Sequence, residues 1–321
     1  MTGNLQGALL ALAAFGIYAT HDVVVKFLGG QYHAVQIVFF AGLLTFPLVT
    51  MMLMGDRSDG HLRPVHPWWT ALRTVSTVIT GVTAFYAFSV LPLAQTYAIL
   101  FATPLLITLL AIPVLGEKVG LRRGLAVLAG MIGVLVVLRP GAEPVSLGHL
   151  AALTAAVCSS LASVVVRKIG AEERSVVLLL YPMMGNFVVL GLALPFVYRP
   201  MPVDHVGMLG IIAAFGFVAT LLTIAAYRRA EAVIVAPMQY SQMIWAAVYG
   251  YLIFGETPDF YTLLGASIII ASGLYIVMRE GRPRVSENRP VLESRSRPET
   301  GMMPRISLLL RRRLPADRNE G

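Results

Sequence analysis

His21, Asp22 and Lys26 stand together inside an apolar run that begins at Leu5. Ionisable side chains in such a setting are costly and face a cavity or a partner. A histidine titrates near neutral pH, and a carboxylate beside it can hold or pass a proton. The four-residue spacing also lets Asp22 and Lys26 pair on one helix face, which is the structural alternative. A second cluster follows Pro237: Gln239, Tyr240, Gln242 and Trp245. Proline removes one backbone hydrogen bond and opens carbonyls to a cavity. Amides and aromatic rings at that depth suit a flat, hydrogen-bonding ligand, or else hydrogen bonds between helices. Arg73, one turn inside its own run, either snorkels to the membrane surface or meets an anion in a cavity. Gln95 and Tyr97 lie near the start of a further run, and Tyr181 and Asn186 are weaker candidates. Glu117 and Glu256 are read as acidic complements to the helix N-termini that follow them.

Several chemistries have no residues to carry them. There is no Walker pattern, no Gly-x-Ser-x-Gly and no His-Glu-x-x-His, so neither an enzyme nor an ATP-driven pump is expected from this chain alone. The single Cys158 makes no metal-type spacing with histidine and is read as a small buried side chain. No metal or cofactor is therefore expected. The formal charge of +8 does not point to nucleic acid. Residues 280–321 hold ten Lys/Arg against six acids, a basic tail suited to anionic lipid headgroups and otherwise expected to be disordered. Within it, Ile306–Leu314 is apolar and then triply basic, fit to lie on the membrane surface or to remain in water.

The elements that hold these residues must be membrane helices. The chain has 321 residues, of which 57% are hydrophobic and 13% charged, with a mean hydropathy of +0.74. Apolar runs of about 20 residues are long enough to cross a bilayer core. Ten are predicted, at 5–27, 34–54, 68–90, 93–115, 121–138, 147–168, 175–197, 206–228, 231–254 and 259–279. The fourth and ninth contain Pro104 and Pro237 and are expected to bend near their centres.

The ten runs form two copies of one unit. Val23-Val24-Val25-Lys26 before Gly29 recurs as Val164-Val165-Val166-Arg167 before Gly170, a shift of 141. Leu115-Gly116-Glu117 recurs as Phe254-Gly255-Glu256, a shift of 139. Each unit has five helices, an odd number, so the second enters the membrane upside down relative to the first. Loops on the N-terminal side carry Arg57, Arg63, Lys118, Arg122, Arg123, Arg167, Lys168, Arg174, Arg228 and Arg229; the opposite side has Lys26, Arg139 and Arg199. The positive-inside rule then places both termini in the cytoplasm. The expected organisation is a first repeat at 1–140, a second at 141–279 and the basic tail at 280–321. An inverted repeat supports alternating access, the plan of a secondary carrier. A membrane receptor or scaffold would need no duplication of this kind.

The arrangement resembles the ten-helix EamA-type branch of the drug/metabolite transporter superfamily, over about residues 5–279. The resemblance rests on two five-helix repeats, each with a proline-containing fourth helix closing in Gly-Glu: Pro104 to Gly116-Glu117 and Pro237 to Gly255-Glu256. Two stretches look like the subgroup that takes up cofactor-type metabolites such as riboflavin and S-adenosylmethionine. One is His21-Asp22 through Lys26 with His33 and Phe39-Phe40; the other is Ala236 through Met243, leading to Gly255 through Asp259. The resemblance implies a bacterial inner-membrane carrier that binds a small organic metabolite between its halves, by helices one, three, four, six, eight and nine. Riboflavin uptake is the leading expectation, with protons as a possible coupling ion. Uptake of S-adenosylmethionine is the nearest rival, and export of amino acids or drugs the third.

Overall fold

A computed structural model describes residues 2–53, 63–117, 119–141 and 144–280. The basic tail after Glu280, and Arg57 and Lys118 of the charge count, lie outside the described residues. Leu-, Val- and Ala-rich runs fold as helices because lipid offers no partner for backbone N–H and C=O groups, and a helix satisfies them within itself. Threonines inside the runs turn their hydroxyls onto the carbonyl one turn back, as Thr77 does to Arg73 and Thr223 to Ala219.

The first repeat contains α1 (Thr2–Gly29), α2 (Ala34–Leu53), α3 (Pro67–Val90), α4 (Leu93–Leu100), α5 (Thr103–Leu115) and α6 (Leu121–Leu138). The second contains α7 (Leu147–Ile169), α8 (Ser175–Val197), α9 (Val203–Arg229), α10 (Ala232–Val235), a 3-10 turn (Ala236–Tyr240), α11 (Ser241–Phe254) and α12 (Phe260–Glu280). Among the described residues, eight spans are continuous enough in length and apolarity to cross a membrane, counting α4 and α5 as one; α2 and the interrupted α10–α11 supply the other two. The chain is thus an all-α integral membrane protein of ten spans in two inverted five-helix repeats.

The fourth and ninth spans do break at their centres. Phe101 and Ala102 separate α4 from α5, and the 3-10 turn separates α10 from α11. A side chain repairs the first break: Thr103 donates to the Leu100 carbonyl (2.7 Å), which Pro104 leaves without a backbone N–H. Both broken spans end in the repeated glycine, Gly116 at φ 71° and Gly255 at φ 66°, a left-handed conformation that glycine adopts without steric cost.

The repeats do not pack as separate bodies. α1 lies along α9 of the other repeat, and α7 lies along α3. Gly7 lets α1 approach Ala230, where an added Cβ would lie 2.3 Å from the alanine Cβ; Gly148 does the same against Val90 and Leu91. These are equivalent contacts, since 7 maps to 148 by the shift of 141 and 91 to 230 by the shift of 139. Two bundles result, each drawn from both repeats: α1, α9, α10 and α11 in one, α3, α4, α5 and α7 in the other, with α2 and α8 packed on each other between them. α6 and α12 pair with each other through Gly133 and Gly265, where backbones come close. Between the bundles, the equivalent rings of Phe101 and Tyr240 meet edge-on, centroids 5.1 Å apart, at the two-fold centre of the molecule.

Candidate functional site

The polar residues expected in spans one, four and nine converge at that centre. Asp22 is fully buried, and its Oδ1 lies 2.7 Å from His21 Nδ1. A carboxylate only accepts, so Nδ1 carries the hydrogen while Asp22 is ionised. Tyr97 of α4 donates its hydroxyl to Asp22 Oδ2. Gln242, in the first turn of α11, donates Nε2 to the Tyr97 oxygen at 3.3 Å. A hydrogen-bonded chain therefore runs from Gln242 through Tyr97 and Asp22 to His21, linking spans one, four and nine. Among the described residues, Gln242 Oε1 is buried without a hydrogen-bond partner.

Aromatic rings wall this chain. Phe85 of α3 stands edge-on to His21 (6.0 Å), and Phe88 stands against Tyr97 (5.2 Å). Tyr240 reaches across to Gly273 of α12, where any Cβ would meet its hydroxyl at 2.0 Å. Further along α11, Trp245 and Tyr249 stack at 5.8 Å with planes 23° apart, beside Gly16 and Thr20 of α1. Thr20 Oγ1 lies 3.1 Å from the Tyr249 hydroxyl. Trp245 is 38% exposed and Gln239 half-buried.

Other expected residues go elsewhere. Lys26 does not pair with Asp22: its Nζ lies 2.7 Å from Glu256 Oε1, over the Phe254 ring, and donates to the Leu91 carbonyl at 2.5 Å. The four-residue spacing is overridden because Asp22 already has two partners deeper in the bundle. Arg73 neither snorkels nor meets an anion. It is 7% exposed and donates Nη1 to the Leu178 carbonyl of α8. Gln95 lines a separate small hollow with Glu256 and Thr257. Glu256 and Glu117 do not serve the helices that follow them; Glu256 Oε2 accepts the Leu93 amide at the start of α4 instead. Glu117 Oε1 pairs with Arg167 Nη2 at 2.6 Å, the repeat-equivalent of Lys26 with Glu256.

Sequence reasoning found all four charged residues of these pairs but not their pairing. The signal was present: parity puts the last turns of α1 and α11 on one face, and those of α7 and α5 on the other. His66 and His205, also 139 apart, form a further missed pair. His66 Nε2 bonds Glu172 (2.5 Å) and His205 Nδ1 bonds Tyr32 (2.6 Å), each in the turn after the first helix of a repeat. Phe85, Phe88 and Tyr249 carried no polar signal in an apolar run.

A model of the EamA-like transporter family matches residues 5–139 and again residues 146–278. The chain belongs to this family. The EamA chain is 30% identical over 286 residues to the riboflavin transporter of Vibrio cholerae, covering 86% of this chain and 94% of that one. It is 26% identical over 263 residues to the S-adenosylmethionine uptake transporter of Rickettsia bellii, covering 82% and 90%. The pseudopaline exporter of Pseudomonas aeruginosa is 25% identical over 269 residues, covering 83% and 94%. A solved crystal structure superposes with a TM-score of 0.52 at 17% identity, over 85% of this chain and 95% of that one, and shows the same fold. The protein is accordingly a membrane transporter of the drug/metabolite type.

Proposed function

We propose that this EamA transporter takes up riboflavin across the bacterial inner membrane by alternating access, with both termini in the cytoplasm. The observation that carries the reading is the buried Gln242 Oε1, an acceptor without a partner at the crossing of the two broken spans. An unpaired buried acceptor is costly, and a ligand N–H would satisfy it. The imide N–H of an isoalloxazine ring is such a donor, and the rings of Tyr240, Trp245 and Tyr249 offer flat faces for it. Asp22 is engaged by His21 and Tyr97, so the centre favours a neutral ring over a cation. The His21–Asp22 pair would hold the coupling proton, and Lys26 and Arg73 serve structure. The 30% identity to a riboflavin transporter supports the same reading.

S-adenosylmethionine is the second reading, supported by the relatives of that name and by the carboxylate of Asp22, which a sulfonium cation would seek if His21 swung away. Uptake of labelled riboflavin by an auxotrophic bacterium expressing this chain, with S-adenosylmethionine as competitor, separates them. Riboflavin uptake that Tyr240→Ala with Gln242→Ala lowers about tenfold at equal expression is the expected outcome. No riboflavin uptake, with S-adenosylmethionine accumulating instead, would sink the first reading.

A further inference from the structure

The two membrane faces differ in how the bundles meet. Call the face holding the start of α1 the terminal face and the other the distal face. At the distal face α1 packs on α3, with Gly29 against Ser89, and α2 also contacts α3. The repeat-equivalent pairs at the terminal face, α7 with α9 and α8 with α9, make no comparable contact. The bundles thus meet at the distal face through contacts that have no comparable equivalent at the terminal face.

The crossed ion pairs mirror this difference. At the distal face, Lys26 and Glu256 belong to one bundle and grip the two-residue turn between α3 and α4 in the other. Lys26 Nζ donates to the Leu91 carbonyl, and Glu256 Oε2 accepts the Leu93 amide at 3.0 Å. At the terminal face the equivalent carboxylate is Glu117, and the equivalent turn lies between α9 and α10. Glu117 Oε1 is held by Arg167, but Oε2 is buried without a hydrogen-bond partner. Its counterpart by the shift of 139 would be the Ala232 amide. That amide opens α10 and so has no carbonyl within its own helix.

We propose that Glu117 is the latch of the opposite state: when the terminal face closes, Glu117 Oε2 captures the Ala232 amide as the Glu256–Leu93 bond at the distal face breaks. Each carboxylate keeps its basic partner throughout and exchanges only the backbone amide. On the carboxylate side the cycle therefore trades one charge-assisted hydrogen bond for its equivalent, while opening the distal face also releases Lys26 from the Leu91 carbonyl. Neither state is left with two orphaned carboxylates, which suits two conformations of similar free energy. The proposal rests on alternating access but not on the choice of substrate.

The test reads distance, not transport. In a Cys158→Ala background in lipid nanodiscs, spin labels at Ala171→Cys with Arg228→Cys report the terminal face. Labels at Gln31→Cys with Val90→Cys report the distal face. Glu256→Ala is expected to shorten the terminal distance and lengthen the distal one. Adding Glu117→Ala to Glu256→Ala is expected to reverse that shift, lowering the ratio of terminal-closed to terminal-open molecules about tenfold. Ala232→Pro should reverse it equally. It deletes the amide while leaving Glu117 intact, at a first helical position where proline is tolerated. Distances unmoved by Glu256→Ala, or a shift that survives both Glu117→Ala and Ala232→Pro, would overturn the latch. Riboflavin uptake measured alongside keeps the readings apart: a chain that switches distance yet carries no riboflavin retains the latch and loses the substrate.

Discussion

Asp22 is the residue on which the central chain turns. It occurs in one repeat only; the equivalent position is Ser163, and His21 falls on Ala162. A side chain needed only to join helices would be expected in both copies. Asp22→Asn keeps the shape but cannot ionise, so the pH dependence of riboflavin uptake should differ from that of the parent. A profile that still follows that of the parent would remove Asp22 from coupling. Tyr97→Phe removes one hydrogen bond from Asp22 Oδ2 and one from Gln242 Nε2 in one step. A loss of about 1–3 kcal/mol in stability is expected, read as a lower unfolding midpoint in detergent. Asp22 and Gln242 were visible in the sequence because a polar residue in an apolar run is conspicuous. Their partner Tyr97 was harder to place, since its distance from the helix end says nothing of which ring it faces.

At the scale of elements, the two broken spans decide where the polar chain sits. Pro104 and Pro237 foretold a bend in each, and both spans are interrupted at the repeat-equivalent residues Phe101 and Tyr240. The place of the break was less legible, because it depends on which hydroxyl reaches the carbonyl that proline frees, as Thr103 reaches that of Leu100. Tyr240 is held by the absence of a side chain at Gly273 of α12. Gly273→Ala would push the phenol off Phe101, and a KM for uptake raised several-fold with expression intact is the expected reading. An unchanged KM would mean that Tyr240 does not touch the substrate. The same reasoning shows why Lys26 was misjudged. Helix spacing finds neighbours on one element, while Glu256 approaches from another repeat.

At the scale of the molecule, the odd number of spans per repeat makes a topological prediction. A reporter active only in the cytoplasm, fused after residue 280, should be active, and the same reporter fused at residue 140 should be silent. Activity at both positions would contradict five spans per repeat, and the reverse result would invert the orientation. The duplication and its inversion were readable from shifts and parity alone. That each bundle borrows helices from both repeats was not, because the choice between packing with one's own repeat or the other depends on small residues at contact points. Gly7 against Ala230 and Gly148 against Leu91 make that choice here.

This crossing also bears on how the protein is made. The first repeat leaves the ribosome before α9 and α11 exist, so α1 enters the membrane without the helices it will lie against. At roughly 5–20 residues per second, Lys26 waits on the order of 10 to 50 seconds for Glu256. A chain stopped after the first repeat should therefore insert without assembling, and be cleared by membrane proteases rather than persist as half a carrier.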